Sequence, residues 1–228
     1  MTMQGAAAAG SVAARSVLAV CAHPDDESFG LGAILDTFGA QGTSVSLLCF
    51  TDGAASTLGA EGSPLGARRR RELRCAAETL ELSSVQVSDH ADGELCLVPI
   101  ARLAAEVTEA ADRVDADLLV VFDDGGITGH ADHVCATRAA LEAIPARPVL
   151  AWALPERVAD ALRAEFGTSF VGRPDTEIDM VLAVDRLRQR RAIRCHTSQC
   201  RDNPLLDRRL ELSGHTESLR WLRRPVAE

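Results

Sequence analysis

Through the first 154 residues, short β-rich runs alternate with helical patterns, and two of those runs are almost continuously apolar. The runs are "SVLAVCA" at 16–22, "SVSLLCF" at 44–50, "SVQVS" at 84–88, "ADLLVVF" at 116–122 and "PVLAWAL" at 148–154. Helical patterns fall between them, near 29–40, 65–81, 99–113 and 133–143. A strand that faces water on one side alternates apolar with polar residues, whereas the runs at 16–22 and 116–122 do not, so helices should cover them on both faces. The alternation predicts an α/β fold, a Rossmann-like, doubly wound, mostly parallel sheet with right-handed crossovers. After 155 the pattern predicts a helix near 155–165, a strand near 177–184, a helix near 185–195 and an irregular tail. A single domain over 15–228 is expected, preceded by a disordered segment at 1–14.

Composition narrows the partners. The 228 residues carry a formal net charge of −9, and no apolar segment reaches the ~20 residues of a membrane span. Neither a membrane nor a nucleic acid is an expected partner. The one basic cluster, Arg68 to Arg71 with Arg74, lies on a helix opening after Pro64 and reads as a solvated or carboxylate-paired face. Seven cysteines form no C-x-x-C pair, and Cys21, Cys49 and Cys135 sit in apolar runs. That usage predicts reduced thiols and a cytoplasmic location. The N-terminal "MTMQGAAAAGSVAARS" lacks a basic leader region, so no cleaved signal is expected.

Two acid–histidine clusters follow predicted strands: His23-Pro24-Asp25-Asp26 after the first, and "DDGGITGHADHV" from Asp123 after the fourth. In a doubly wound sheet of order 3-2-1-4-5 those strand ends are neighbours, at the switch point where ligands bind. His23 and Asp26 can chelate one ion, with His133 as a third ligand. Three such ligands leave a position for water, whose pKa Zn²⁺ lowers to about 7. Asp25 is then the spare carboxylate that takes the proton. His130 can face the substrate as a charged donor, with Asp132 fixing its tautomer and raising its pKa. This is equipment for hydrolysing an amide. The same donor set accepts Fe²⁺ or Co²⁺. Glu27 caps the following helix or supports a ligand.

"AHPDDE" together with "GHADH" resembles the PIG-L/LmbE-like deacetylases, zinc-dependent enzymes that remove N-acetyl or N-acyl groups from glucosamine-type substrates. "FTDG" at 50–53, Arg69 with Glu72, and "HTSQ" at 196–199 extend the resemblance over most of the chain. It implies zinc ligands His23, Asp26 and His133, a general base Asp25, and His130 as the group that stabilises the tetrahedral intermediate, oriented by Asp132. It also implies Arg69 as a substrate contact, against an i,i+3 pair with Glu72. Ser198 and Gln199 line the pocket or, preferably, tie down the C-terminal segment. His90 and His215 match nothing. Where some members carry a Tyr two residues before the histidine equivalent to His130, this chain has Thr128 and no Tyr at all.

The expected activity is therefore amide hydrolysis on a small amino-sugar conjugate of GlcNAc type, with oligomeric state left open. A non-catalytic zinc-containing α/β binding module is the alternative, and would call for a fourth protein ligand. Dinucleotide binding is disfavoured, because the first turn is acidic and lacks G-x-G-x-x-G.

Overall fold

The computed structural model describes residues 12–59 and 64–225. At its centre is β1, Ser16–Cys21, every residue of which is buried. Alternate side chains enter two cores: Val17, Ala19 and Cys21 face one, Leu18 and Val20 the other. A strand buried on both faces cannot spare polar positions, which is why its run reads as uninterrupted apolar sequence.

β1 pairs in parallel with β2, Ser44–Thr51, on one side (Val17 opposite Val45) and with β4, Leu118–Phe122, on the other (Leu18 opposite Leu119). β3, Ser84–His90, extends the sheet beyond β2, and β5, Val149–Ala153, beyond β4. Connecting helices cover both faces. The short α1, Asp26–Phe29, and α2, Gly32–Ala40, follow β1; α3 is Leu65–Thr79, α4 Ile100–Arg113, α5 Ala131–Ala143 and α6 Glu156–Phe166. Leu31, Ile34 and Leu35 pack with the first core, while Leu103, Val107 and Ala139 close the second.

The full order is β3-β2-β1-β4-β5-β7-β6, so the switch point lies between β1 and β4 as the sequence predicts. The tail departs from expectation. After β6, Met180–Ala183, come α7, Leu187–Cys195, α8, Thr197–Cys200, and α9, Pro204–Ser213. The chain then returns as β7, Thr216–Arg223, inserted antiparallel between β5 and β6 with Ala151 opposite Arg220 and Met180 opposite Leu219. "TESLRWLR" does not read as a sheet strand because it carries charges. Two of these are neutralised inside the fold: Glu217 bonds Arg186 (2.5 Å) and the Trp152 indole (2.8 Å), and Arg220 reaches Asp123 (2.9 Å).

Two further expectations need correction. Residues 1–11 lie outside the described residues, but the expected disorder to residue 14 is not seen in 12–14: Val12 packs on the first core and the Ala14 carbonyl accepts from the Thr43 hydroxyl (2.8 Å). The cysteines are not all reduced. Cys75 is bonded to Cys195, joining α3 to α7, and Cys96 to Cys135 on α5, each pair with Cα atoms 5.7 Å apart. Partners separated by 120 and 39 residues have no signature in local spacing; helix packing alone brings them together. Cys21, Cys49 and Cys200 are free.

Candidate active site

β1 ends in a turn that its own acid closes. The Asp26 carboxylate accepts the backbone N–H of Ala22 (3.1 Å) and of His23 (2.9 Å), folding the chain back so that His23 and Asp26 face the crevice together. Between them Asp25 has φ 124°, a conformation that costs an ordinary residue about 1–3 kcal/mol. Its backbone N–H is anchored to Glu27 (2.9 Å), which in turn accepts from the Ser28 hydroxyl (2.5 Å) and from buried His196 (2.7 Å). Glu27 thus supports the neighbouring catalytic candidate rather than only capping a helix.

Across the switch point, His133 Nε2 lies 3.2 Å from His23 Nδ1 and 3.1 Å from Asp26 Oδ1, and His23 Nδ1 is 3.8 Å from the other Asp26 oxygen. The outer nitrogens assign the protons. His133 Nδ1 donates to the Gly126 carbonyl (3.0 Å), and His23 Nε2 faces Asp92 (3.1 Å) and Asp132 (3.4 Å). The inner nitrogens therefore present lone pairs to each other and to a carboxylate, an arrangement that calls for a cation. Two imidazoles and one carboxylate are the donor chemistry of a first-row divalent metal, and the residues fit one.

The charges agree. Burial opposes protonation of His23, yet the carboxylates of Asp132 and Asp92 outweigh it and raise its pKa to about 10. At His133 burial again opposes, and the charge of Asp26 prevails in the same direction. Asp26 itself is held far below the usual range: burial favours its neutral form, but His133 and His23 overcome it. Four carboxylates, Asp25, Asp26, Asp92 and Asp132, surround this point, whereas Arg69 is the fixed cation bonded to one of them. Asp25 differs from its neighbours. Burial lifts its pKa to about 6, Arg69 restraining the rise and Asp26 adding to it.

In the second cluster Asp132 meets His130 through its backbone and not through its carboxylate. The Asp132 carboxylate turns away to His23 and to the backbone N–H of Gly93 (2.8 Å) and Leu95 (3.2 Å), while its own N–H donates to His130 Nδ1 (3.2 Å). Orientation of His130 is thus by the helix backbone, which leaves Nε2–H for the crevice. Burial, then the nearby His23 and His133, lower the His130 pKa, and its Nδ1 accepts from the helix backbone; both run against the charged form. Thr128, where a Tyr was sought, sets its hydroxyl 3.3 Å from His133 Nδ1. Ile127 just before it is buried at φ 57°, a strained conformation for a β-branched residue in a loop that shapes the crevice.

The outlying motifs brace this centre. Arg69 does not pair with Glu72; it donates to Asp25 (2.9 Å) and to the carbonyls of Gly53 (2.8 Å) and Pro24. Gly53 has φ +67°, and a Cβ there would lie 1.9 Å from the Arg69 guanidinium, which explains the glycine of "FTDG". Glu72 accepts from Ser198 (2.6 Å) and Thr197 (2.8 Å), and Gln199 from Ser56 (2.8 Å), so "HTSQ" ties the C-terminal segment to α3 and the β2 loop. Of the basic cluster, Arg68 pairs with Glu72 and Arg70 with Asp89. His90 bonds Glu106 (2.8 Å), and His215 is exposed in a turn. Sequence reasoning missed Asp92. Its place just past β3, at the same edge of the sheet as both clusters, was the available signal.

A cavity of about 620 Å³ opens on the cluster, with His23, Asp25, Asp26, Arg69, His130 and His133 in its wall. Fold and donors together define an α/β protein with a candidate metal centre at its strand-end switch point. The family model described as PIG-L, GlcNAc-PI de-N-acetylase, matches residues 18–144, and the chain belongs to that family. A probable N-acetylglucosaminyl-phosphatidylinositol de-N-acetylase of Schizosaccharomyces pombe is 32% identical over 143 residues, 60% of this chain and 55% of that protein. A 1D-myo-inositol 2-acetamido-2-deoxy-alpha-D-glucopyranoside deacetylase of Salinispora arenicola is 29% identical over 84% of this chain and 78% of its own length. The crystal structure of GalB, a 4-carboxy-2-hydroxymuconate hydratase of Pseudomonas putida, superposes with a TM-score of 0.72 at 19% identity, covering 94% of this chain and 98% of that one. That likeness is of fold alone. Among the described residues no helix is long and apolar enough to cross a membrane.

Proposed function

We propose that the protein is a zinc-dependent N-deacetylase or N-deacylase acting on a small GlcNAc-type amino-sugar conjugate, with the ion held by His23, Asp26 and His133. The observation that carries this reading is the convergence of three lone-pair donors beside one carboxylate, Asp25, whose pKa near 6 suits a base at neutral pH. When bound, Zn²⁺ supplies Lewis acidity and an acidified water; Fe²⁺ fits the same donors. Asp25 accepts the proton of the attacking water and then holds the proton that the departing amine needs. His130 offers Nε2–H to the oxygen on which charge develops, as an oxyanion donor. Asp132 positions both histidines, one through its N–H and the other through its carboxylate. Arg69 orients Asp25 and borders the cavity, which keeps a substrate contact within the proposal.

A structural zinc site would close with four protein ligands, whereas this cluster opens on the cavity, so catalysis is preferred to a binding module. The expected cytoplasmic location rested on free thiols, and the two disulfides withdraw that support. The region 15–228 is taken as one catalytic domain.

The test is amine release from a panel of N-acetylglucosaminides by the zinc-loaded protein. Turnover that chelation abolishes and zinc restores is the expected result. Wild-type turnover by Asp25→Ala would remove the base assignment, and a fourth protein ligand on the bound metal would remove the catalytic reading.

A further inference from the structure

The cavity is divided. On the β2 and β3 side of the donor cluster its wall is polar: Ser56, Thr57, Arg69, Asp92 and Gln199 border it. On the β4 and β5 side it is mostly apolar, with Phe29, Phe122, Ile127, Trp152, Phe170 and Leu206 beyond Thr128 and His130. These residues come from separate segments (α1, β4 and the loop after it, β5, the loop after α6, and α9), yet they make one continuous surface. It starts at the cluster itself. The Phe122 ring is 4.8 Å from that of His133 and 5.0 Å from Trp152, and the Arg209 guanidinium lies 5.2 Å over the Trp152 ring at the far end.

At that end Arg209, which lines the cavity, is held by the protein's own acceptors. Arg209 donates to the Phe29 carbonyl and lies 3.4 Å from Glu217, which also holds Arg186 and the Trp152 indole. Gly30 admits the aromatic pair: a Cβ there would meet Phe122 at 2.5 Å and Trp152 at 2.8 Å.

An acyl amide of an amino sugar has two unlike halves, a hydroxylated amine and an acyl group without hydrogen-bonding hydrogens. Hydroxyls left against an apolar wall would lose their partners, so the sugar half belongs on the polar side and the acyl half on the apolar side. The whole cavity, about 620 Å³, is the scale of a site that encloses a drug-sized ligand, and a methyl group would touch few of the six apolar side chains on the second side.

We propose that the acyl group this site accepts is a linear chain several methylenes longer than acetyl, seated between Phe122, Trp152, Phe170 and Leu206 with the sugar on the Ser56–Asp92 side. The proposal rests on the amide-hydrolase reading above. Water adds its oxygen to the acyl carbon and the C–N bond breaks; both protons of the water end on the departing nitrogen as an ammonium, and the chain departs as its carboxylate, with nothing oxidised or reduced.

The experiment is a chain-length series on one N-acylglucosaminide, acetyl, butyryl, hexanoyl and octanoyl, with kcat/KM for each. Burying a methylene should raise kcat/KM about three- to fourfold until the chamber is full. Leu205→Trp, at the start of α9 and on the cavity wall, should lower the octanoyl-to-acetyl ratio at least tenfold. A second arm needs no turnover. In Trp221→Phe, where Trp152 is the remaining indole of the chain's two, octanoate should change the emission saturably and acetate should not. Acetyl as the best substrate, or octanoate without effect on Trp152, overturns the proposal. If no chain length is hydrolysed, the hydrolase reading fails, and the octanoate arm then decides the chamber by itself.

Discussion

Up to β5 the chain builds its part of the cavity from short strand-end turns; beyond β5 it builds from long-range buried ion pairs. The first region holds His23, Asp25, Asp26, Arg69, His130, Asp132 and His133 and the whole of the stretch the family model matches, 18–144. Each of its two clusters is shaped in part by bonds to near neighbours in sequence, such as Asp26 to the N–H of His23 and Asp132 to His130. The second region holds Phe170, Leu206 and Arg209; Glu217 bridges Arg186 and Arg209 and anchors Trp152, while Arg163 donates to the Phe170 carbonyl and Leu206 packs on Ile193 and Leu210. The reactive groups lie in the first region with Phe29, Phe122 and Ile127 of the apolar wall beside them, whereas the rest of that wall comes from β5 and the second region, so chemistry and substrate size should respond to different substitutions.

The largest effect should come from the first region. Asp25→Ala should lower kcat about 10²- to 10⁴-fold while metal content stays at wild type, and His133→Ala should lose the metal as well, both read by steady-state kinetics and metal analysis. Next is Glu217→Gln, which leaves two buried guanidinium groups without their carboxylate and should cost about 3–5 kcal/mol in denaturant unfolding. Activity per folded molecule should fall far less than in Asp25→Ala; an equal fall would erase the distinction between the regions.

Glu72 joins the two regions and gives a pH test. Burial favours its neutral form, but bonds from Ser198 and Thr197 outweigh it and hold its pKa below the ordinary glutamate value. A carboxyl lowered in the folded state stabilises above its unfolded pKa and loses that contribution as pH falls through the folded one. The stability gap between wild type and Glu72→Gln should be constant near neutrality and close on the acid side of the ordinary glutamate range, as melts across pH would show. The smallest effect belongs to the exposed pair of Arg138 and Glu142 within α5, where Arg138→Ala should cost about 0.3–0.5 kcal/mol.

How much was legible follows the same division. β1 and β4 could be read because burial on both faces demands uninterrupted apolar runs, and the two clusters because each sits in the turn directly after its strand. The contact between His23 and His133 followed from the switch-point rule once the strand order was assumed. α9 and β7 could not be read: Glu217 and Arg220 look like surface residues until their partners, 31 and 97 positions away, are in place. Asp92 was missed, and the direction of the Asp132 carboxylate was not foreseen, for a related reason. Whether a carboxylate turns to the histidine beside it or to one 109 residues distant is a matter of side-chain direction, which spacing does not carry.

The sequence by itself determined the parallel sheet, its switch point and the donors gathered there, since periodicity and strand-end position are local and follow from which faces must leave water. Tertiary structure alone decided the disulfides, the proton assignments of the histidines, the antiparallel return of β7 and the apolar side of the cavity. Those depend on pairings between distant segments, whose energies exist only after the chain has closed on itself.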